Sequence, residues 1–136
     1  MSRNGIKRRL YDEIKVDGVP LLTMFDTGAW NTYISESAVE RSGLEPRKVK
    51  RPFWTSLGGR KHLIKEEVTV NGTIHRLPLC IQLFVIDEIG KMHVGREIKD
   101  IEILFGLPLL EVWGIEFDIK RKKLDLSGFS KEFIEF

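Results

Sequence analysis

Residues 21–35 read LLTMFDTGAWNTYIS: an apolar run stops at an acid, Asp26, followed at once by Thr27 and Gly28. A carboxylate carried to the end of a buried strand gives up hydration that only a partner can replace. What that partner is decides what the chain does.

Upstream, YDEIKVDGVPLLTMF (11–25) holds two extended segments around Asp17-Gly18, a dipeptide suited to the positive φ angles of a tight primed turn. This predicts a hairpin whose second strand Asp26 closes. Downstream, SESAVERSGL (35–44) predicts one short helix, with Ser37 and Glu40 fitting a capping box and Gly43 the left-handed position past the helix end. EEVTVNGTIHRLPLCIQLFVI (66–86) repeats the hairpin pattern around Asn71-Gly72, with period-two apolar residues on both sides. Between them, RPFWTSLGGRKHLI (51–64) reads as an exposed, mobile hairpin arm that bends at Gly58-Gly59.

The polar segment DEIGKMHVGREIKD (87–100) reads as a loop. IEILFGLPLLEVWG (101–114) then gives an apolar strand, a turn at Gly106 and a second short helix, with Pro108 near its start and Gly114 as its stop. IEFDIKRKKLDL (115–126) returns to strand alternation, interrupted by a solvated turn at the basic KRKK. The expected architecture is mainly β with one or two short helices.

At 136 residues, 42% of them apolar, the chain is long enough for one domain with a real core and too short for two ordinary ones. The domain is expected to span 1–136, with its core at about 11–126. The 22 basic and 20 acidic residues leave a net charge of +2, too balanced to imply nucleic acid. The clusters IKRRL (6–10), RKVKR (47–51) and KRKK (120–123) lack the interleaved aromatics of a base-stacking surface and read as solvated faces. No run of 18 apolar residues exists and the basic N-terminus lacks a signal-peptide apolar region, which predicts a soluble, cytoplasmic protein. Cys80, alone in its apolar run, is expected to be a buried, inert thiol. His62, His75 and His93 show no metal-ligand spacing, so no metal and no cofactor are expected.

Asp-Thr-Gly arises by chance in about 2% of chains this long, so its context must carry the identification. That context resembles the retropepsin-like aspartic proteases, the single-domain family that includes the retroviral enzymes. Three blocks carry the likeness: MFDTGAWNTYIS with AVERSGL after it, TSLGGRKHLI at the place of the family's flap, and IEILFGLPLLEVWGIEFDIKRKKLDL as the second apolar-apolar-Gly block that packs against the aspartate strand.

The resemblance implies a retropepsin-like closed β-barrel and a two-fold homodimer. There is one Asp-Thr-Gly here, and the mechanism needs two carboxylates that share a proton. An isologous dimer supplies the second as the partner copy's own Asp26. The implied activity is aspartic endopeptidase, with Thr27 bracing the dimer across the axis and Gly28 allowing close backbone approach. The peptide would be held by Gly28, Ala29, Trp30, Trp54, Leu57, Gly58 and Gly59, with a flap near Trp54 to Leu63. The partners implied are a second copy and an extended polypeptide substrate, with no membrane and no nucleic acid.

Two departures alter the expectation. Ala29 replaces the serine of pepsin-like relatives, which removes a hydroxyl from the outer carboxylate oxygen and predicts a weakly acidic optimum. Trp30 and Leu107 stand where retroviral enzymes carry an Asp and an Arg, so the substrate grip must differ.

Bland alternatives stand beside these. Asp26 also fits a turn in which its carboxylate only caps backbone amides, and Gly58-Gly59 also fits an ordinary surface turn. Trp54 fits a core position as well as a substrate cover. The rival function is a non-catalytic dimeric module of the same fold that binds a peptide or protein, and a weaker one is an RNA-associated dimer using the basic clusters. The tail SGFSKEFIEF (127–136) fits either an interfacial strand or a helical fragment laid on its own chain.

Overall fold

The computed structural model describes residues 8–129. Strand β1 (Arg9–Val16) and strand β2 (Val19–Asp26) form the expected first hairpin, with Asp17 and Gly18 at φ 50° and 79°. There follow β3 (Tyr33–Ser35), α1 (Glu36–Arg41), β4 (Arg47–Leu57), β5 (Arg60–Ile74) and β6 (Leu77–Ile86). A short hairpin, β7 (Gly90–Val94) and β8 (Glu97–Ile101), leads to β9 (Ile103–Gly106), α2 (Leu107–Trp113), β10 (Glu116–Asp118) and β11 (Lys123–Asp125).

The main sheet runs β1-β2-β9-β3-β6-β5-β4, and β1 also pairs with β5. That extra pairing closes β1, β2, β9, β3, β6 and β5 into the six-stranded barrel that the resemblance implied. β4 lies outside the ring, paired to β5 along a long hairpin. Inside the barrel, Phe25 of β2 and Phe105 of β9 are register partners, both fully buried, with ring centroids 5.0 Å apart. Each contributes about 1.5–3 kcal/mol through burial.

Four expectations are corrected. Asn71-Gly72 is not a turn: β5 runs on to Ile74, and His75 and Arg76 make the turn at φ 46° and 70°. Gly72 is needed for another reason. It sits where β5 meets β1, paired with Val16, and a Cβ there would lie 2.6 Å from the Lys15 carbonyl oxygen. The costly positive φ at His75 is held by the ladder on either side and by its bond to Asp12 at 2.7 Å.

Residues 87–100 are not a plain loop, since β7 and β8 pair from Gly90↔Ile101 to Val94↔Glu97 around Gly95 at φ 65°. The hairpin is solvated on most of its surface, so it shows little apolar alternation. Cys80 is exposed, because β6 turns Leu79, Ile81 and Leu83 inward and Pro78, Cys80 and Gln82 outward. The cap of α1 is Ser35, whose Oγ accepts from the Ala38 amide at 3.2 Å; Ala38 occupies the third helical position, so no capping box forms.

Gly43 at φ 65° and Gly114 at φ 67° follow their helices as expected. Phe129 stacks on Trp113 of its own chain, centroids 5.5 Å apart. The remaining apolar tail residues, Phe133, Ile134 and Phe136, lie outside the described residues. Among the described residues no helix is long and apolar enough to cross a membrane.

Gly72→Ala tests the closure. The clash with the Lys15 carbonyl must push β1 and β5 apart, and the expected loss is on the order of 1–3 kcal/mol in urea unfolding. An unchanged midpoint would mean that the β1–β5 seam does not hold the barrel.

Candidate active site

Along β2, Leu21, Thr23 and Phe25 are fully buried in the barrel, and the alternation leaves Met24 and Asp26 on the opposite face. The parallel partner β9 repeats this, with Ile103 and Phe105 inward and Leu104 outward. Register pairs Met24 with Leu104 and Asp26 with Gly106. The second glycine block therefore packs on the aspartate strand, as the resemblance implied.

Asp26 is only 4% exposed. Its Oδ1 accepts from the Gly28 amide at 2.7 Å, and its Oδ2 accepts from Arg9 Nε at 3.1 Å. Arg9 is the direct cross-strand partner of Asp26 in the first hairpin, and half of its side chain is exposed. The buried carboxylate is thus satisfied by one amide and one cation from its own chain.

The loop after Asp26 is locked on both sides. The Thr27 amide donates to the Arg8 carbonyl at 3.0 Å, and the Thr27 hydroxyl accepts from the Arg8 amide at 3.0 Å. The Leu107 amide donates to the Ala29 carbonyl at 2.8 Å, and buried Thr32 accepts from the Gly106 amide through Oγ1 at 2.9 Å. A Cβ at Gly106 would stand 2.5 Å from the Asn31 carbonyl oxygen, so only glycine lets the loop lie this close to β9.

A second apolar cluster, separate from the barrel core, covers the Asp26 face. Met24 and Leu104 form its floor; Ala29, Ile101, Ile89 and Met92 add to it, and the β4–β5 arm contributes Phe53, Leu57 and Ile64. Phe53 meets Phe84 edge-on at 5.0 Å, and Thr55 Oγ1 is 2.9 Å from the Tyr33 hydroxyl. The arm has two faces by strand alternation. Phe53, Thr55, Leu57, His62 and Ile64 turn inward, while the cross-strand pair Trp54 and Leu63 are exposed.

Of the residues nominated from sequence, Asp26 and Gly28 are directly bonded, and Ala29 and Leu57 share the apolar cluster beside them. Gly58 and Gly59 form the exposed arm tip at φ 60° and 78°. Trp30 is 76% exposed and lines a pocket of about 210 Å³ with Phe84 and Pro108. Trp54 is 66% exposed on the arm's outer face, so it is not core.

Sequence reasoning missed Arg9, Thr32 and the pair His62–Asp87. A signal for Arg9 existed: a two-residue turn at Asp17-Gly18 fixes the hairpin register, and that register sets Arg9 opposite Asp26. Nothing comparable marked His62, whose Nδ1 lies 2.5 Å from Asp87 Oδ1 across 25 residues of chain. Desolvation pushes the Asp87 carboxyl up, but the hydrogen bonds from His62 and from the Glu88 amide outweigh it and hold the group below the usual carboxylate range.

Comparison with known proteins agrees with this geometry. The Leishmania major retroviral protease-like domain of Ddi1 superposes with a TM-score of 0.64 at 16% identity, covering 89% of this chain and 90% of that one. The EIAV protease, solved with an inhibitor, gives 0.57 at 16% identity over 79% of this chain and 89% of its own. A retropepsin-like aspartic protease from Rickettsia conorii gives 0.54 at 22% identity, over 87% and 80%. In sequence, the chain is 29% identical over 126 residues to Protein DNA-DAMAGE INDUCIBLE 1 of Arabidopsis thaliana, matching 88% of this chain and spanning about a quarter, 27%, of that protein. The profile of the aspartyl protease family matches residues 13–82, more than half of the chain's 136. The chain belongs to the aspartyl protease family, and its fold is retropepsin-like.

Proposed function

We propose that this chain is an aspartic endopeptidase that works as a two-fold homodimer, one Asp26 from each copy meeting at the axis. The observation that carries the reading is a carboxylate 4% exposed at the end of β2, on an apolar face covered by a hairpin arm. Two such carboxylates in contact cannot both ionise, so the pair shares one proton. The ionised one takes a proton from water, whose oxygen attacks the peptide carbonyl carbon. The protonated one hydrogen-bonds the carbonyl oxygen as it gains charge. Collapse of the tetrahedral intermediate breaks the C–N bond, and the proton taken from water passes to the leaving nitrogen.

The chain's own groups prepare this step. The Gly28 amide fixes Oδ1, while the half-exposed Arg9 reaches Oδ2 from the solvent side and gives way when the second carboxylate takes its place. Thr27 braces the partner across the axis. The extended peptide pairs by main-chain hydrogen bonds with the arm around Leu57, Gly58 and Gly59. Its side chains meet Ala29 and the apolar cluster beside Asp26, with Trp30 at the rim. Neither the acid that retroviral enzymes carry at position 30 nor the arginine at 107 is present, so apolar contact replaces an ion pair in gripping the peptide.

A second reading is a dimeric binding module that holds a peptide without cutting it. The Arg9–Asp26 pair favours it, because a carboxylate already satisfied within its own chain needs no second acid.

The test is cleavage of an unfolded protein between about pH 3 and pH 7, the span in which a carboxylate pair shares one proton, read by mass spectrometry. Wild type should cut, and Asp26→Asn should lose on the order of 10³-fold or more of that rate, as removal of a reacting group does. Silence from a confirmed wild-type dimer would favour the binding module.

A further inference from the structure

His62 is 5% exposed, although it sits in a surface arm whose tip is open to water. A buried imidazole must satisfy two ring nitrogens. Nδ1 meets Asp87 Oδ1 at 2.5 Å, and Nε2 faces the Leu57 carbonyl oxygen at 3.4 Å. Asp87 directly follows β6, at the root of the β7–β8 hairpin, and its Oδ1 also accepts from the Glu88 amide at 2.9 Å. Beside this contact, Arg60 at the arm tip pairs with Glu88.

The arm and the β7–β8 hairpin belong to different sheets and share no ladder bond. Side-chain contacts link them: His62–Asp87 and Arg60–Glu88 on one side, and Leu57 in one apolar cluster with Ile89 and Met92 on the other. The charged contact at Arg60 is exposed on both partners and contributes little, whereas the imidazole is shielded. His62 is the shielded polar contact between the two elements.

We propose that His62 is a positioning residue that fastens the β4–β5 arm to the root of the β7–β8 hairpin, so that both move over the Asp26 face as one cover. This role rests on the arm being the substrate cover proposed above. A peptide then meets a cleft whose two walls open and close together. Cutting the link leaves the chemistry at Asp26 intact and loosens the hold on the peptide.

The variant to make is Asp87→Ala, at a half-exposed position, with His62→Gln beside it. Hydrogen exchange is read first, in an Asp26→Asn background that cannot cut itself. Each variant should speed exchange of the inward arm amides between residues 53 and 64 by about tenfold, as loss of a local fastening does, and leave β1 and β2 unchanged. Unchanged arm exchange, or an equal rise in β1 and β2, would overturn the proposal. In the active background the variants should raise KM several-fold with kcat held; a fall in kcat at constant KM would also overturn it. If no protein cuts, the parent included, the aspartic mechanism fails while the exchange difference still decides the coupling.

Discussion

Burial of the Asp26 carboxylate is the constraint around which the molecule is arranged. An ionised carboxylate withdrawn from water costs several kcal/mol unless charge and hydrogen bonds replace its hydration. Here the Gly28 amide and the Arg9 guanidinium do so, and each is placed by a separate feature of the fold. The first hairpin sets Arg9 opposite Asp26, and the loop after Asp26 turns the Gly28 amide back onto it. That loop keeps its shape because β9 runs beside β2 and ends in a glycine that lets the Ala29 and Asn31 carbonyls lie where a side chain would stand.

The same arrangement makes β2 and β9 apolar on both faces. One face fills the barrel through Phe25 and Phe105; the other, through Met24 and Leu104, forms the floor beside Asp26. A strand buried on both sides shows no alternation, which is why LLTMF and ILF read as continuous apolar runs. The covering layer comes from β4, the outer end of β5 and the β7–β8 hairpin. Core and candidate site are therefore separate clusters, and changes in one need not disturb the other.

How much of this could be read from the chain follows from the range of each interaction. Asp17-Gly18, Gly43, Gly114 and the Asp-Thr-Gly turn are local: their backbone angles or short-range bonds leave a mark on two or three adjacent residues. Asn71-Gly72 carried the same mark and misled, because Gly72 serves a contact with Lys15 far away in sequence. The true turn at His75-Arg76 has no glycine and holds its positive φ through the ladder around it. Cys80 looked buried because its neighbours in both directions are apolar, although the strand alternates. Arg9 was legible in principle from hairpin register; His62–Asp87 and Thr32–Gly106 were not, since only the closed barrel brings those residues together.

The proposed catalysis depends on a second carboxylate supplied by a second copy, and mixing subunits tests this most directly. A fixed amount of wild type is titrated with Asp26→Asn chains that fold and dimerise normally, and peptide cleavage is followed. With random exchange, a ninefold excess leaves about a tenth of the wild-type chains paired with one another, so activity should fall to about a tenth. Activity that stays constant throughout the titration would show that each chain acts alone and would contradict the shared-proton site.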